Sequence, residues 1–307
     1  MVIVEFLIKL AQGFGIGALA LATGLLFGGI GRKIMARIQR RYGPPFTQNY
    51  IDLFKLFSKG SVSHGWAFDL GLVAGFAPML AALMFLPIGP FTLLPSDSSL
   101  IMIVYLMMMA YLGMAMGVLA SGNPNSAIGM SRALMLMAGY EVPFAAVIFS
   151  VYLFSKTGYL TQIVAQQAGG FMNWNIVKMP LGFLAIEIAL QGMLGEKPFD
   201  QAIAPAEIAS GPMVELGGKY LGFGMIQHSV GLFLETGIVV DLFLGGAPNF
   251  WIFIAKQFVL YFIVILVDAI LPRLRIHEST SFFWKLPLFL GILQAVIVII
   301  QGGVLNV

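Results

Sequence analysis

The stretch LIMIVYLMMMAYLGMAMGVLA, residues Leu100–Ala120, decides the class of this fold. It contains no charged residue and is long enough to cross a bilayer, which takes roughly 20 mainly apolar helical residues. The whole chain has the same character, since 59% of its 307 residues are hydrophobic and only 10% are charged. A soluble domain carries about 25% charged residues. The chain is therefore predicted to be an all-α integral membrane protein.

Seven further segments have the length and composition of spanning helices. The eight predicted spans are Leu10–Ile30, Leu70–Leu94, Leu100–Ala120, Ala133–Phe154, Ile176–Leu194, Tyr220–Leu244, Ile252–Leu271 and Phe282–Gln301. We find no internal repeat, linker or soluble domain, so residues 1–307 are predicted to form one polytopic membrane domain. The first span lacks a small-residue cleavage pattern and is expected to be retained.

The basic residues are unequally divided between the two sides that these spans define. Thirteen of the 17 Lys and Arg residues fall on one side, where the longest connections lie. The other side has Lys9, Lys156, Lys178 and Lys256. Cytoplasmic loops carry the excess of Lys and Arg, so both termini are predicted to lie outside the cell membrane.

Two connections on the basic side, about residues 31–69 and 195–219, are long enough to indicate docking segments. In the first, Pro44 and Pro45 are expected to open a helix that Thr47 caps. Apolar residues then recur at helical spacing, with charged residues on the opposite side. We predict an amphipathic helix in the cytoplasmic interface of the membrane, with a packed surface helix as the alternative. Its apolar residues are Phe46, Tyr50, Leu53, Phe54 and Phe57, and its polar side has Asp52, Lys55 and Lys59.

Ionisable residues inside predicted spans are costly and commonly mark a function. The candidates are Glu141, Glu187, His228, Glu235, Asp241 and Asp268. Glu141 and Glu187 are predicted to be functional. His228 and Glu235 are seven residues apart, face the same way and form either a proton relay or a static pair. Asp241 and Asp268 lie near span ends, where we expect a structural role.

The second long connection is acidic and rich in proline. Glu196, Asp200, Glu207 and Glu215 could pass protons to the buried acids, or they could be a solvated acidic loop. Pro198, Pro205 and Pro212 prevent one continuous helix. Cysteine is absent and the three histidines are far apart, so no metal site is expected in this chain. No nucleic-acid partner is expected.

Several motifs resemble the H subunit (subunit 1) family of respiratory complex I. They occur in family order across residues 20–245. The residues that carry the resemblance are GRKIMARIQRRYGPP at 31–45, QNYIDLFKLF at 48–57, Ala77-Pro78, YEVP at 140–143, KPFD at 197–200 and the run from Glu207 to Gly218. The Gly-Pro-Pro and Gln-Asn-Tyr variants are more similar to the corresponding subunit of membrane-bound [NiFe] hydrogenases and related ferredoxin-driven complexes.

The resemblance implies a non-catalytic membrane subunit of an oxidoreductase complex. Its implied partners are the lipid bilayer, antiporter-like membrane subunits that move H⁺ or Na⁺, and soluble peripheral-arm subunits. The peripheral arm would carry iron–sulfur clusters and the [NiFe]-type large subunit, with no cofactor in this chain. The residues implied to contact those soluble subunits are Arg32, Lys33, Arg37, Arg40 and Arg41, joined by Asp52 and Lys55 of the amphipathic helix. The residues implied in ion coupling are Arg132, Glu141, Glu187, Asp200, Glu207 and Glu215, together with His228 and Glu235.

The chain departs from the complex I pattern at several acidic and basic positions. Met193 and Glu196 stand where that pattern has Glu and Arg, and His228 stands where a membrane Glu is usual. Ile203 and Pro205 occupy two further acidic positions. These departures favour a relative that passes electrons to protons or sulfur compounds. The alternatives are a quinone-site subunit of the same fold and a stand-alone secondary ion transporter.

Overall fold

The computed structural model describes the backbone of residues 2–304 and the side chains of residues 9–302. Its α-helices are α1 Val2–Ile38, α2 Gln48–Ser58, α3 Trp66–Phe85, α4 Ser99–Leu119, α5 Pro124–Ser155, α6 Leu160–Gln166, α7 Asn175–Lys178, α8 Pro180–Met193, α9 Pro205–Ile208, α10 Lys219–Phe243, α11 Phe250–Ile270 and α12 Ile276–Val304. Seven helices in this part of the chain are long and apolar enough to cross a membrane: α1, α3, α4, α5, α10, α11 and α12. The prediction of an all-α integral membrane protein is confirmed.

The fifth predicted span, Ile176–Leu194, is not one continuous helix. Met179 leaves the helical region at φ −132° and ψ 61°, and Pro180 opens α8. A residue that precedes proline is disfavoured in the α conformation, which explains the break. The 14 residues of α8 rise only about 21 Å, so a crossing of a bilayer of roughly 30 Å at this point also needs α7 and the residues that flank the two helices.

Other predicted boundaries also move, most clearly in the second span and at the end of the first. The span predicted at Leu70–Leu94 is helical only from Trp66 to Phe85, because Pro87 and Pro90 break the continuation. At the first long connection, α1 continues to Ile38 beyond the predicted span. The basic residues at the start of that connection therefore lie on a helix.

Alternate connections define two ends of the bundle. We call the end formed by residues 39–65, 120–123, 194–218 and 271–275 the loop face, and the end formed by residues 86–98, 156–174 and 244–249 the far face. α10 is the most enclosed spanning helix of the described chain, because 78% of its apolar 18-residue stretch is buried inside the bundle. It packs tightly against α1, where a Cβ on Gly24 would collide with the backbone of Ser229.

The amphipathic helix is present as α2. Thr47 occupies the N-cap position, but its side chain caps no N–H of the described residues, and Pro44 and Pro45 lie before the helix. Asn49 and Leu53 are buried against the bundle, and Asn49 Nδ2 donates to the Leu25 carbonyl at 3.1 Å. Phe54 remains 75% exposed, so the apolar side of α2 is split between the bundle and the surroundings.

The acidic connection has little regular structure, as its prolines predict. It contains only the four residues of α9 and a 3-10 turn at Gly211–Met213. It folds back against the loop face, where Gly129 of α5 approaches Gly211 and Pro212 so closely that a Cβ would collide. The connection therefore forms a packed layer over the loop-face end of α5.

Candidate functional site

Two acids of the connection between α8 and α10 form a charged network on the loop face. Asp200 accepts two hydrogen bonds from Arg273, from Nε at 2.7 Å and from Nη2 at 2.6 Å. Glu207 bridges Arg273 Nη1 at 3.4 Å and Arg132 Nη1 at 3.0 Å. The hydrogen bond from Arg132 lowers the pKa of Glu207, and the bond to Asp200 raises the pKa of Arg273. This network ties the acidic connection to the start of α5 and to the α11–α12 turn.

Arg273 was not among the predicted site residues. Nothing in its local sequence distinguishes it from Arg275, which lies two residues away and is exposed. Only the folding of the 194–218 connection against the α11–α12 turn brings Arg273 to Asp200. Glu215 lies apart from this network, with Oε1 accepting from Asn123 Nδ2 at 2.6 Å and Oε2 lying 3.3 Å from His64 Nε2.

A cavity of about 440 Å³ lies next to the network, between α1, α2, α10 and α11. Gly24, Gly28 and Gly31 of α1 line it where Ser229, Asn49 and Tyr261 approach the helix closely. The ionisable residues that line it are Arg32, Glu196, His228, Tyr261 and Asp268. The cavity thus brings together ionisable groups from four separate parts of the chain.

Glu196 is the acid of this cavity whose environment is most perturbed. Burial raises the pKa of the Glu196 carboxyl to about 7, and the carboxylates of Asp268 and Asp200 add to the rise. Asp268 is itself paired, because Lys197 Nζ lies 3.4 Å from Oδ1 and the Lys197 N–H donates to the same oxygen at 3.2 Å. The structural role expected for Asp268 is therefore consistent with its contacts. Glu196 is poised to change protonation near neutral pH.

His228 and Glu235 do not form a pair. His228 is exposed to the loop-face cavity, whereas Glu235 is 2% exposed and lies about two turns deeper on α10. Glu235 Oε1 accepts a hydrogen bond from the Tyr111 hydroxyl at 2.7 Å, and Oε2 is buried without a partner among the described residues. Sequence spacing placed both residues on one side of α10, but their axial separation gives them different surroundings.

Glu141 lies on the other side of Tyr111. With Tyr111, Tyr140 and Met193 it lines a largely apolar cavity of about 280 Å³ between α4, α5 and the end of α8. The Tyr111 hydroxyl also lies 3.1 Å from the Met193 carbonyl. Pro143 is accommodated inside α5, which continues unbroken to Ser155. Tyr111 therefore stands between the buried Glu235 and the cavity that contains Glu141.

Glu187 is separated from these acids. Both of its carboxyl oxygens are enclosed, and no side chain or backbone group in the described part of the chain hydrogen-bonds them. It lines a small cavity of about 150 Å³ together with Gln191, Phe199 and residues of α11 and α12. The structure thus joins Asp200, Glu207 and Arg132, places His228 and Glu196 in one cavity, and leaves Glu187 and Glu215 as separate positions.

The residues predicted to dock partner subunits differ in their exposure and in their contacts within this chain. Arg32 lines the cavity and pairs with Asp52 of α2 at 3.2 Å, so these two charges join helices of this chain. Lys33 is half-buried. The remaining four are exposed on the loop face and form what we call the basic patch: Arg37, Arg40, Arg41 and Lys55.

These features define a multi-pass integral membrane protein whose ionisable groups lie at the loop face and along α10. The chain belongs to the H subunit (subunit 1) family of NADH dehydrogenase, because the family model described as NADH dehydrogenase matches residues 13–299. It is the equivalent of that subunit in a complex I-like oxidoreductase complex.

Curated relatives support this membership across nearly the full chain. The sequence is 30% identical over 333 aligned positions to the H subunit of the F(420)H(2) dehydrogenase of Methanosarcina acetivorans, covering 95% of this chain and 94% of that protein. It is 31% identical over 314 positions to the H subunit of the NADH-quinone oxidoreductase of Geobacillus kaustophilus, covering 94% and 93%.

A solved structure is similar in both fold and sequence. A chain of the membrane-bound sulfane sulfur reductase, described as an archaeal respiratory membrane complex, superposes with a TM-score of 0.89 and 37% identity. The match covers 94% of this chain and 99% of that one. Within the described residues, no group of three His, Asp or Glu side chains is placed to hold a metal ion. Cofactors of complexes in this family belong to partner subunits.

Proposed function

We propose that this chain is the membrane anchor of an energy-converting, membrane-bound hydrogenase-type complex and couples its redox reaction to ion movement. The observation that carries the proposal is a succession of ionisable groups from the loop face into the bundle. It runs from the Asp200–Arg273–Glu207 network through the cavity with Glu196 and His228. Glu235, Tyr111 and Glu141 then follow within the spanning helices.

The basic patch supports docking of soluble subunits on the loop face. Exposed Arg side chains are suited to binding carboxylates on a partner surface, where electrostatic attraction also speeds association. The excess of Lys and Arg on this side supports a cytoplasmic location for the loop face, with both termini outside the cell membrane. The partners proposed here are peripheral-arm subunits with iron–sulfur clusters and a [NiFe]-type large subunit. Antiporter-like membrane subunits would complete the complex.

Coupling would begin with a charge change at the docking surface. A negative charge that arrives near the cavity would favour protonation of Glu196, because like charges within a few ångströms disfavour a second carboxylate. Tyr111 and Glu235 offer the next donors and acceptors, and Glu141 follows in the cavity that Tyr111 lines. The protons or Na⁺ ions moved would cross the membrane in those antiporter-like subunits.

The acidic character of the cavity favours the hydrogenase and sulfur-reducing branch. Glu196 occupies the position at which the complex I pattern has Arg, and it has Asp268 as a neighbour in the cavity wall. The sulfane sulfur reductase chain is 37% identical to this one, more than the NADH-quinone oxidoreductase relative at 31%. A quinone-site subunit is the second candidate, since that relative belongs to an NADH-quinone oxidoreductase and Asn49 of α2 lines the cavity. Family membership counts against a stand-alone transporter.

The deciding experiment is purification of the intact complex through a tag on this chain. Mass spectrometry should identify an iron–sulfur subunit, a [NiFe]-type large subunit and antiporter-like subunits, and solvent extraction should yield no stoichiometric quinone. Bound quinone with inhibition by quinone-site inhibitors would support the second candidate instead. Recovery of the chain without redox subunits would refute both.

A further inference from the structure

An acid near the end of a spanning helix is expected to find a partner or to reach the membrane interface. The Asp241 carboxyl does neither in the described part of the chain. It lies in the last turn of α10, next to the far face, and is only 1% exposed. Both carboxyl oxygens are buried without a hydrogen-bond partner among residues 9–302. The chain after α10 folds over this carboxyl, because Gly246 lies close to Oδ1.

The backbone groups around Asp241 are satisfied. Gln167 donates from Nε2 to the Asp241 carbonyl at 2.8 Å, and its Oε1 accepts from the Gly245 N–H at 3.0 Å. Asn175 Nδ2 donates to the Leu242 carbonyl at 2.7 Å. The backbone at the end of α10 is therefore fixed by side chains of α7 and of the residue after α6. The Asp241 carboxyl stands out at this junction as an unsatisfied group.

Lys256 of α11 is the nearby cation, but it does not bind the carboxyl. Its ammonium group donates to the Leu244 and Gly246 carbonyls, each at 2.6 Å. The same Nζ lies 4.0 Å from the centroid of the Trp174 ring. Trp174 in turn packs against Gly245, and Gly246 lies close to Asp241 Oδ1. Trp174 and Lys256 thus hold the Gly245–Gly246 segment that borders the Asp241 carboxyl, and we call these two side chains the cover.

A buried carboxylate without donors is strongly disfavoured relative to the neutral carboxylic acid. Opening of the cover would admit water and release the Lys256 ammonium group from the two carbonyls, so that it can face an ionised carboxylate. Water and the ammonium group both stabilise a carboxylate.

We propose that Asp241 is a proton-exchange site on the far face of this subunit. With the cover closed, it holds a proton as a carboxylic acid. When Trp174 and Lys256 move, the O–H bond breaks, the proton passes to a far-face water molecule as hydronium, and the remaining carboxylate faces the Lys256 ammonium group. This site goes beyond the proposed coupling function, whose acids begin at the loop face, and it would exchange protons with the opposite side.

The protonation state can be tested without turnover, by infrared difference spectroscopy of the intact complex in lipid. Wild type minus Asp241→Asn should show the carbonyl band of a protonated carboxylic acid, and the band should shift slowly in D₂O. Asp97→Asn is the matched control, because Asp97 is an exposed far-face acid, and it should show no such band. Absence of the band from the Asp241→Asn difference overturns the proposal.

The cover is tested by the rate of that deuterium shift. Trp174→Leu should speed the shift by about tenfold or more, because removal of the ring favours local opening. Met172→Leu, at an exposed position two residues away, should leave the rate unchanged. An unaltered rate in Trp174→Leu removes the role assigned to the cover. This test does not require Asp241→Asn to assemble.

Transport is tested by the number of protons moved per electron in proteoliposomes. Asp241→Asn should lower this ratio, Asp241→Glu should restore much of it, and Asp97→Asn should retain it. A full ratio in Asp241→Asn means that no exchanged proton passes through this carboxyl. If coupling fails only in variants of the loop-face acids, the far-face site is refuted while the proposed function stands.

Discussion

The Tyr111 hydroxyl on α4 donates a 2.7 Å hydrogen bond to Glu235 Oε1 on α10. This bond joins the most enclosed spanning helix of the described bundle to the cavity that contains Glu141. A phenol that contacts both a buried carboxyl and an adjacent cavity can pass a proton between them by reorientation of its O–H.

Tyr111→Phe should therefore impair coupling. It removes the donor to the buried Glu235 carboxyl, a change that costs about 1–3 kcal/mol at a buried polar group. We expect redox turnover with coupled ion movement to fall about tenfold or more, a change in barrier of about 1.4 kcal/mol. Tyr105→Phe is the control, since Tyr105 lies on the same helix but is 62% exposed. Equal turnover in both variants would argue against Tyr111 as a relay.

Glu141→Gln should slow or uncouple turnover while the complex still assembles. The amide has nearly the shape of the carboxyl but cannot exchange a proton, and the described lining of the Glu141 cavity holds no cation that the change would strand. Ion movement per electron in proteoliposomes is the measurement. Glu278→Gln, at an exposed loop-face position, should behave as wild type. Full ion-coupled activity in Glu141→Gln would refute the assigned role.

Glu196 gives the stability of the fold a pH dependence with a definite sign. Its pKa rises from 4.5 in the unfolded chain to about 7 in the fold, so the native state binds more protons between these values. The free energy of unfolding therefore decreases as pH rises through this window and levels off above it, by at most about 3 kcal/mol. Glu196→Gln should remove this decrease.

The measurement for Glu196 is the thermal midpoint of the complex at pH 5 and at pH 8. Relative to wild type, Glu196→Gln should gain stability at pH 8 and show a smaller difference at pH 5. Asp97→Asn, at an exposed position, supplies the control for a simple loss of charge. The same difference at both pH values would show that Glu196 does not titrate in this window.

The basic patch can be tested by charge reversal. Arg37→Glu combined with Arg41→Glu should release the soluble subunits, because both exposed guanidinium groups are proposed to meet a complementary surface. In the wild-type complex, raised ionic strength should also weaken the retention of the soluble subunits, since exposed charge pairs are screened by salt. Lys156→Glu, at an exposed far-face position, is the matched control. Undiminished recovery of the redox subunits would exclude the patch as a docking surface.

Much of the fold could be predicted because the length and hydropathy of each apolar run are local properties of the sequence. The uncharged run at Leu100–Ala120 became α4 at Ser99–Leu119, and Tyr220–Leu244 became α10 at Lys219–Phe243. The break at Met179 was missed because average hydropathy does not detect one proline within an apolar stretch. Its signal, a proline at position 180, was present in the sequence.

The site was less predictable, since it depends on which distant segments meet. Asp200 and Glu207 were expected to matter, but their partner Arg273 lies in a different connection. His228 and Glu235 lie on one side of α10, as their spacing predicts. They lie at different depths in the bundle, so His228 lines the loop-face cavity and Glu235 binds Tyr111.

The sequence by itself determined the membrane class, the helical register of most spans and the positions at which charges enter apolar segments. These follow from the cost of placing polar groups in lipid, which each segment meets on its own. Only the tertiary structure decided that Tyr111 meets Glu235, that Glu196 shares a cavity with Asp268 and that the Asp241 carboxyl is enclosed beside Gly246. Those outcomes depend on packing between helices that are far apart in the chain, where a rotation of one helix exchanges one neighbour for another.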